Sequence, residues 1–398
     1  MSALNNKIVI IGGKLQGMEA CYLAMKAGIE TILVDKNPNA PAKHLCSKFV
    51  CEDIFEHSSQ LLIDMKEADI VLPALENAPV LQWLNKDAKA QGYTLAFDWH
   101  AYQISSSKRR SDELFRKCGI PVPLYFPGGC FPYICKPDSD SGSHGVMKLK
   151  NSAELHEALD KNSDLVIQEY LEGPSYSIEI IGKPGMYRTY LVTQIHIDQK
   201  YDCRMVTAPC GLTGAQEDTL RKMAFTIAEE IKLHGIMDLE VILAGGELKL
   251  LEIDARIPSQ TPAAILHSTG VNLLAELYDL FCGRFEGDPL TETRGAGRTG
   301  DGTASGETAT CDAEPRYASY EHYLVEDGNP RSLGEHIMTQ GGALRLETGA
   351  WGADEAVTDY TPDARLWRGI FMNSGATPAE LEQKRARTLQ ALRERKRP

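Results

Sequence analysis

The chain lacks a long apolar run and an excess of positive charge. No stretch approaches the roughly 20 consecutive apolar residues that cross a bilayer, and the opening MSALNNKIVIIGG has neither the basic nor the apolar region of a signal peptide. Acidic residues outnumber basic ones by 55 to 42, so the net charge is −13. This balance argues against nucleic acid or a membrane surface as a partner. We expect a cytoplasmic protein whose partners are small molecules or cations.

Cysteine is present, but no CxxC pair occurs. The ten cysteines are scattered, and Cys46/Cys51 and Cys130/Cys135 match no common zinc spacing. We therefore expect reduced thiols rather than a zinc site. With 398 residues, 43% of them hydrophobic, the chain is too long for one compact core and predicts two or three domains.

The first third of the chain alternates strand and helix patterns. KIVIIGG predicts a buried strand, KLQGMEACYLAMKAG a helix that ends at Gly28, and IETILVDKN a second strand that closes on Asp35. DIVLPALEN and YTLAFD predict further strands. Together they predict an open α/β sheet with ligand positions at the carboxyl ends of its strands.

Polar residues fall at those strand ends. The turn at residues 12–17 has backbone N–H groups that favour an anion, and Asp35 stands where dinucleotide-binding folds place a ribose-binding acid. The glycine spacing is not GxGxxG, so a tight turn with an incidental aspartate is an equal alternative. Glu76 follows the third strand, where it would bind an ammonium group or cap a helix.

Residues 235–256, GIMDLEVILAGGELKLLEIDAR, hold carboxylates at alternate positions of a β-prone stretch. They predict a hairpin that turns at residues 244–247. One face carries the acids Asp238, Glu240, Glu252 and Asp254. The other carries Leu239, Val241, Leu251 and Ile253. A turn centred on Gly246 sets Glu240 opposite Glu252 and Asp238 opposite Asp254. Because like charges across a strand pair are destabilising, we expect a divalent cation there in preference to a solvated face.

Lysines and a flexible loop precede the hairpin. Lys108 begins an amphipathic helix that stops at Gly119, and Lys136 ends a strand that leads into a Gly/Ser loop at residues 139–145. LVIQEYLEGPSYSIEIIG then predicts strand, hinge and strand. Taken singly, these are surface lysines and an ordinary turn. In this order they meet the needs of phosphoryl chemistry, which are cations and N–H groups on the phosphates and magnesium between the oxygens.

This order resembles the ATP-grasp superfamily of carboxylate–amine ligases over residues 108–256. The resemblance implies an α/β ATP-grasp fold, in which an N-terminal Rossmann-like open parallel sheet precedes two α+β lobes that clasp ATP, and it favours a homodimer. It also implies that Lys108 and Lys136 bind the α and β phosphates and that Ser141 belongs to the phosphate lid. The hinge residues that would meet adenine are Gln168, Glu169, Tyr170 and Leu171.

The same resemblance implies a metal site for Mg²⁺, or Mn²⁺ in its place. The implied ligands are Glu240, Glu252 and Asp254. The superfamily commonly ends this strand as Glu-x-Asn-x-Arg, so Asp254 departs from the pattern and would bind either the metal or a substrate ammonium. Arg256 and Lys136 are the implied catalytic residues, which offset charge on the transferred phosphoryl group. Ser175 stands where related ligases have an acid on the ribose, so no ribose ligand is assigned.

Longer stretches resemble the ligases of pyrrolysine biosynthesis across nearly the whole chain. They include GGKLQG, VDKNP, HIDQKYDCRMVT and EIDARIPSQTPAAILHSTGVNLL. This resemblance implies that the α-carboxylate of 3-methyl-D-ornithine is condensed with the ε-amino group of L-lysine through an acyl phosphate. The products would be 3-methyl-D-ornithyl-N6-L-lysine, ADP and phosphate. Use of plain D-ornithine and the identity of the general base stay open.

A substrate with two ammonium groups accounts for a site rich in carboxylates. Glu179 and Asp238 are the candidates for its amines, with Ser177 and Arg256 near its carboxylate, although Glu179 is equally well a surface acid. Asp202 and Arg204 would orient either substrate. Lysine would be held at the N-terminal rim by Lys14 and Glu76. A second nucleotide is the alternative at that rim, held by Leu15, Gln16, Asp35, Asp53 and Ile54.

We divide the chain into four parts: a Rossmann-like domain at residues 1–97, a small lobe at 98–190, a large lobe at 191–376 and a basic tail at 377–398. The tail predicts a solvated terminal helix, and residues 284–315 predict a flexible insertion, since they have almost no large apolar side chains. A Rossmann oxidoreductase and a nonenzymatic nucleotide or amino-acid sensor remain as alternatives. Within the ligases, the alternatives are biotin-carboxylase-like and D-alanine-ligase-like specificities.

Overall fold

The computed structural model describes residues 5–139, 145–162, 164–287 and 315–394. Its N-terminal sheet is parallel, with the strand order β3-β2-β1-β4. The elements of this region are β1 (Lys7–Ile11), α1 (Leu15–Lys26), β2 (Glu30–Val34), β3 (Lys48–Val50), α2 (Ser59–Glu67), β4 (Ile70–Pro73) and α3 (Ala78–Gln91). Alternate residues of β1 belong to two different apolar clusters, so both faces of the sheet are buried. The predicted open parallel sheet is confirmed.

The strand predicted at YTLAFD is wrong. Within it, Leu95 makes only an isolated parallel bridge with Val71. The chain cannot extend further along the sheet because Asp98 caps α4 (Trp99–Ser105) by accepting a hydrogen bond from the backbone N–H of Ala101.

A three-stranded antiparallel sheet follows, with the strand order β6-β5-β7. Its elements are α5 (Lys108–Lys117), β5 (Tyr133–Pro137), β6 (Met147–Leu149), α6 (Ser152–Lys161) and β7 (Leu165–Glu169). The predicted stop of the Lys108 helix is confirmed, because α5 ends just before Gly119, whose φ of +67° lies in the left-handed region that glycine tolerates.

The largest sheet of the described residues has eleven antiparallel strands in the order β13-β12-β8-β10-β11-β14-β18-β17-β16, with β9 on β8 and β15 on β14. Its strands are β8 (Ser175–Lys183), β9 (Met186–Thr189), β10 (Thr193–Ile197), β11 (Cys203–Ala208), β12 (Gly235–Ala244), β13 (Glu247–Asp254), β14 (Tyr317–Glu326), β15 (Asn329–Ser332), β16 (Arg345–Thr348), β17 (Glu355–Thr358) and β18 (Leu366–Gly375). The helices are α7 (Gly214–Glu230), α8 (Thr261–Thr269), α9 (Leu273–Phe281) and α10 (Pro378–Arg393), and 3-10 helices span Pro41–His44, Ile54–Glu56, Glu335–Gln340 and Ala350–Gly352. Because β8 and β9 belong to this sheet, the sheet begins before residue 190. The predicted boundary between the small lobe and the large lobe, after residue 190, stays a prediction.

The acidic hairpin is β12 and β13, and its predicted register is confirmed. Glu240 pairs with Glu252, and Asp238 pairs with Asp254. The predicted apolar face is wrong at Leu251, because a bulge between Glu240 and Val241 moves the pairing by one residue and sets Val241 against Leu250. Leu250 is therefore fully buried in the core, and Leu251 turns to the face that carries the acids.

The terminal helix is not simply solvated. In α10, Leu381 and Leu392 are buried, and the helix packs against β18. Arg385 donates from Nη2 to Glu321 at 3.0 Å and from Nη1 to Glu382 at 2.6 Å. The buried leucines thus hold the helix against the sheet, and the ion pairs of Arg385 neutralise part of its basic face. None of the described helices combines the length and the apolarity needed to cross a bilayer.

The N-terminal domain is joined to the large sheet through a buried carboxylate. Tyr22 of α1 donates its hydroxyl to Oε2 of Glu355 at 2.6 Å, and Nζ of Lys26 lies 2.6 Å from Oε1. Nε2 of His267 lies 3.6 Å from Oε2. Burial would raise the pKa of Glu355, but the contacts with His267, Lys26 and Tyr22 outweigh it and lower that pKa to about 2.

We expect Glu355→Gln to destabilise the fold by about 2 kcal/mol at pH 7, because it leaves Lys26 without its carboxylate. The folded-state pKa of Glu355 is depressed, so its contribution is present above the unfolded value near 4.5 and is lost as the pH falls toward about 2. Urea unfolding at pH 7, 5 and 4 measures the difference, which should shrink toward the acid end. Glu326→Gln, in an exposed pair with Arg331, is the control and should change stability by less than about 1 kcal/mol. Equal losses in both variants would contradict this role.

Candidate active site

A cavity of about 300 Å³, here the lobe cavity, lies between the three-stranded sheet and the acidic hairpin. Its walls bring together most residues with a predicted nucleotide or metal role, namely Lys108, Lys136, Gln168, Glu169, Tyr170, Leu171, Glu240 and Glu252. Ser141, predicted for the phosphate lid, lies outside the described residues. Ser175, Glu172 and Tyr201 also line this cavity.

The two lysines converge because Asp138 ties β5 to α5. Its carbonyl accepts the backbone N–H of Lys108 at 3.1 Å, and its Oδ1 accepts the N–H of Arg109 at 2.9 Å. The start of α5 is thereby held against the end of β5, where Lys136 lies. Burial lowers the pKa of Lys136, opposed by the carboxylate of Glu252. An anion bound here would stabilise the charged form of this lysine.

The hinge side chains are fixed by neighbours. Gln168 is buried, and Oε1 of Glu169 accepts Nζ of Lys249 at 2.8 Å. Nζ of Lys148 lies 3.5 Å from the ring centroid of Tyr170, within cation–π distance. The edge of the lobe cavity is therefore ordered by the protein's own contacts.

Polar residues form two rows across β8, β12 and β13. Ser177, Glu240 and Glu252 pair across the strands as the first row, and Glu179, Asp238 and Asp254 as the second. The first row reaches the lobe cavity through its two glutamates. The second row ends at Asp254, which accepts Nη2 of Arg256 at 2.9 Å. The predicted acidic face is therefore a continuous polar surface that starts at the lobe cavity.

Charge is crowded in these rows, and the pKa values reflect it. Burial and the neighbouring Glu252 raise the pKa of Glu240 well above its ordinary value. Burial also raises the pKa of Asp254, against the opposing Arg256. The pKa of Asp238 is raised to about 8, again by burial first, and that of Glu179 to about 7. These carboxyls are thus arranged to gain a cationic partner.

Two of these carboxyls have an oxygen with no partner. Oε2 of Glu179 and Oδ1 of Asp238 are buried and make no hydrogen bond within the described part of the chain. Oε1 of Glu179 accepts the hydroxyl of Ser177 at 3.1 Å. The idea that Glu179 is a surface acid is wrong, because β8 lies inside the sheet and the side chain is fully buried. An unpaired buried carboxylate oxygen is costly unless a ligand supplies the donor.

A second cavity of about 470 Å³, here the rim cavity, lies at the carboxyl ends of the N-terminal strands. All the predicted rim residues line it, namely Lys14, Leu15, Gln16, Asp35, Asp53, Ile54 and Glu76, and Arg256 joins them. Gln16 donates to Oε1 of Glu76 at 2.8 Å, and Nε of Arg256 lies 2.5 Å from the same oxygen. Arg256 therefore connects the second polar row to the rim cavity.

The N–H of Gly13 in the first turn already has a partner. It donates to Oδ2 of Asp35 at 2.7 Å, while Oδ1 of Asp35 accepts the N–H of Asn37 at 2.8 Å. Asp53 caps the 3-10 helix Ile54–Glu56 through the N–H of Phe55. These contacts shape the turn, and an anion at the rim would need other donors.

Asp202 and Arg204 line neither cavity. Arg204 lies 3.7 Å from Glu321 and donates to Ser332. Oδ1 of Asp202 is 3.0 Å from Nδ1 of His336. The role of Asp202 and Arg204 in orienting a substrate stays a prediction.

No pattern in the sequence indicates a role for the segment at residues 335–339. Glu335, His336 and Thr339 line the rim cavity beside Arg256. They stand on a short 3-10 helix that has no helical or strand periodicity, far along the chain from the other rim residues. Only the fold, which places this helix against α1 and β18, brings them to the site.

The matches to known proteins agree with this geometry. Residues 105–260 match the ATP-grasp domain family. The fold is similar to N5-carboxyaminoimidazole synthetase from Staphylococcus aureus complexed with ADP, with a TM-score of 0.66 and 15% identity over 98% of both chains. It is also similar to L-amino acid ligase from Bacillus licheniformis, with a TM-score of 0.64 and 16% identity over 97% of this chain and 98% of that one. The chain is an ATP-grasp protein, which confirms the fold class predicted from the sequence.

The sequence relatives narrow this class to one family. Over 335 residues the chain is 37% identical to 3-methyl-D-ornithine–L-lysine ligase of Methanosarcina mazei, covering 84% of this chain and 82% of the relative. Over 336 residues it is 36% identical to the ligase of the same name from Methanosarcina acetivorans, covering 84% of each. The chain belongs to the 3-methyl-D-ornithine–L-lysine ligase family and is an ATP-dependent carbon–nitrogen ligase.

We expect Arg256→Met to destabilise the fold by about 3 kcal/mol at pH 8, because three carboxylates lose their cation. The pKa values of Asp238 and Asp254 are raised in the folded state, so their charged forms oppose folding increasingly as the pH rises above about 4. The loss should therefore be larger at pH 8 than at pH 5.5 in urea unfolding. Arg365→Met, in an exposed pair with Asp327, is the matched control and should cost little. A loss independent of pH would contradict the charge argument.

Proposed function

We propose that this ligase joins the α-carboxylate of 3-methyl-D-ornithine, or of D-ornithine, to the ε-amino group of L-lysine through an acyl phosphate. The products are the N6-linked isopeptide, ADP and phosphate, as expected in pyrrolysine biosynthesis. The observation that carries the proposal is the pair of polar rows, which runs from the lobe cavity to Arg256 at the rim cavity. The names of the sequence relatives support the choice of substrates.

ATP is proposed to occupy the lobe cavity. Lys108 and Lys136 would bind its phosphates, and the hinge would meet its adenine at Tyr170 and Leu171. The volume of about 300 Å³ and the mixture of lysines and aliphatic side chains suit a nucleotide. Glu172 lines the same cavity and lies three residues before Ser175 in the sequence, so we assign it the ribose hydroxyls in place of the missing acid at that position.

Magnesium is proposed to bind the first polar row through Glu240 and Glu252, with Asp254 of the second row as a further oxygen ligand. Glu240 and Glu252 fit the ion, because they are carboxylates paired across two strands and Mg²⁺ prefers oxygen ligands of this kind. Asp254 would have to exchange its bond with Arg256 for the ion. When bound, the ion offsets charge on the transferred phosphoryl group. Mn²⁺ would be accepted by the same oxygens.

The ornithine substrate is proposed to lie along the second row. Its two ammonium groups would bind Glu179 and Asp238, whose unpaired buried oxygens lack donors. Ser177 and Arg256 would hold its carboxylate for attack on the γ-phosphorus. Arg256, buried with only 13% of its side chain exposed, and Lys136 would then stabilise the charge that develops there.

Lysine is proposed to enter the rim cavity, with its α-ammonium near Glu76 and its carboxylate near Lys14. A second nucleotide, bound near Asp35 and Asp53, is the alternative occupant of the outer part of that cavity, whose volume of about 470 Å³ exceeds what lysine fills. We further propose a homodimer, and we place the reaction in the cytoplasm, where ATP and lysine are supplied.

We expect Glu252→Gln to lower turnover at least about 100-fold, because it removes a metal ligand at the transferred phosphoryl group. Mass spectrometry of the isopeptide together with ADP release, with ATP, Mg²⁺, L-lysine and 3-methyl-D-ornithine, measures it. Glu247→Gln is the matched control, since Glu247 is an exposed acid on the same strand at the hairpin turn. Full activity in Glu252→Gln would remove the metal assignment, and ADP without isopeptide in the wild type would remove the substrate assignment.

We expect Glu179→Gln to raise the KM for the ornithine substrate about tenfold or more, with the KM for ATP changed less than about twofold. The amide keeps the shape of the side chain and its bond with Ser177, but it loses the charge that a substrate ammonium would pair with. Steady-state kinetics with each substrate varied in turn separates the two constants. Equal changes in both constants would show a general disturbance of the sheet instead.

A further inference from the structure

The proposed reaction needs a proton acceptor, and the inference that follows rests on that proposed function. The ε-amino group of lysine is an ammonium at neutral pH, so it must lose a proton before it can attack. Two acids near the proposed reaction centre already have partners: Glu76 pairs with Arg256 and Gln16, and Asp254 pairs with Arg256. Two others, Glu179 and Asp238, are assigned above to the ammonium groups of the ornithine substrate. In the proposed arrangement each of these acids is thus engaged with a cationic group.

The rim cavity contains a histidine oriented by a carboxylate. Nδ1 of His336 lies 3.0 Å from Oδ1 of Asp202, and the backbone N–H of His336 donates to Oδ2 at 3.3 Å. Asp202 is mostly buried, with 16% of its side chain exposed, whereas 43% of the His336 side chain is exposed. The carboxylate thus fixes the ring so that Nδ1 carries its hydrogen toward Asp202, which leaves Nε2 as the basic nitrogen.

This pair joins the walls of the two cavities. Asp202 follows Tyr201, which lines the lobe cavity, while His336 lines the rim cavity together with Arg256. The turn before Asp202 is held in place, since Asp198 accepts the N–H of Gly334 at 3.1 Å. An imidazole at this junction stands beside the proposed lysine cavity and is anchored to the wall of the ATP cavity.

A metal site is the alternative use of this cluster. The ligand atoms of Asp202, Glu335 and His336 lie within 4.8 Å of one another. However, Nδ1 of His336 is already bonded to Asp202, and Glu335 accepts the hydroxyl of Ser259 at 2.8 Å. These contacts favour a role in proton transfer.

We infer that His336 is the general base of the second half-reaction and that Asp202 is its positioning residue. Neutral Nε2 of His336 takes one proton from the lysine ε-ammonium. The freed nitrogen lone pair forms the C–N bond at the acyl-phosphate carbonyl, and the C–O bond to phosphate breaks with its electron pair. The second amine proton leaves with the phosphate, so the products are the amide, hydrogen phosphate and an imidazolium that returns its proton to solvent.

The charged groups around His336 set the direction of its pH dependence. Its hydrogen bond with Asp202 raises the pKa of His336 above its ordinary value, with Glu335 and Glu76 acting in the same direction. The partial burial of the ring acts in the opposite direction. Arg256 lines the same cavity wall, and buried His322 stays neutral because burial lowers its pKa to about 4. Because the base must be neutral, isopeptide formation should rise with pH through the pKa of His336.

The test separates the two half-reactions. With ATP, Mg²⁺ and D-ornithine or 3-methyl-D-ornithine, hydroxylamine in place of lysine traps the acyl phosphate as a hydroxamate, and it needs no base because it is largely unprotonated at neutral pH. We expect His336→Gln to lower the kcat for isopeptide about 100-fold or more, with hydroxamate formation within about twofold of the wild type. In this variant, the pH at which isopeptide formation rises should move toward the lysine ε-amino pKa of about 10.4.

Two further variants complete the design. Asp202→Asn should lower the kcat for isopeptide less than His336→Gln does. It should also move the rise of isopeptide formation to lower pH, because His336 loses the charge that raises its pKa. His156→Gln, at an exposed histidine on α6, is the matched control and should behave as the wild type.

Three outcomes would each overturn either the assignment of His336 as the base or the proposed function. Isopeptide formation within about threefold of the wild type in His336→Gln would overturn the base assignment. Equal loss of hydroxamate and isopeptide in that variant would also overturn it, since the role would then be structural. A wild type that forms neither product would instead overturn the proposed function.

Discussion

The ion pairs of Arg256 are the interaction on which the site depends. This guanidinium contacts Glu76 from the N-terminal domain and Asp254 from the hairpin, and the charge of Asp238 also acts on it. Without a buried cation, carboxylates from separate elements would repel one another across the junction of the two cavities. Despite its burial, these acids hold the pKa of Arg256 above the ordinary value. The side chain of Arg256 therefore links the N-terminal domain to the hairpin. It would also contribute positive charge near the proposed phosphoryl group.

The acidic hairpin shows how much a local pattern can predict. Alternation of side chains and a glycine turn were enough to place Glu240 opposite Glu252, because strand geometry has a period of two and a short turn fixes the register. The same reasoning failed at Leu251, since a bulge inserts one residue and no sequence rule locates it. The nucleotide residues could be listed because their order resembles the ATP-grasp superfamily, and several rim residues because they stand at the ends of recognisable strands.

His336 could not be found in this way. It lies on a short 3-10 helix whose neighbours in space, Asp202 and Arg256, come from distant parts of the chain. A lone histidine in an aperiodic segment has no pattern to distinguish it, so its partner is known only from the fold. The burial of Glu179 has the same origin: its strand alternates like any other, and only the position of β8 between β12 and β10 shows that the acid is enclosed. Sequence patterns predict which elements form, whereas the pairing of those elements decides which polar side chains lose water.

The lobe cavity and the rim cavity meet at the charged residues around Arg256. This arrangement suits a ligase that must keep an acyl phosphate from water. Lys108 and Lys136 face one cavity, and His336 faces the other. A base placed beside the phosphates would be drawn to them as a cation and would stay protonated. In the proposed arrangement, a base on the lysine side, oriented by the mostly buried Asp202, would meet the amine away from those phosphates. With the proposed roles, the separation of the cavities would order the two half-reactions by electrostatics, because each group would meet its substrate in the charge state that the reaction needs.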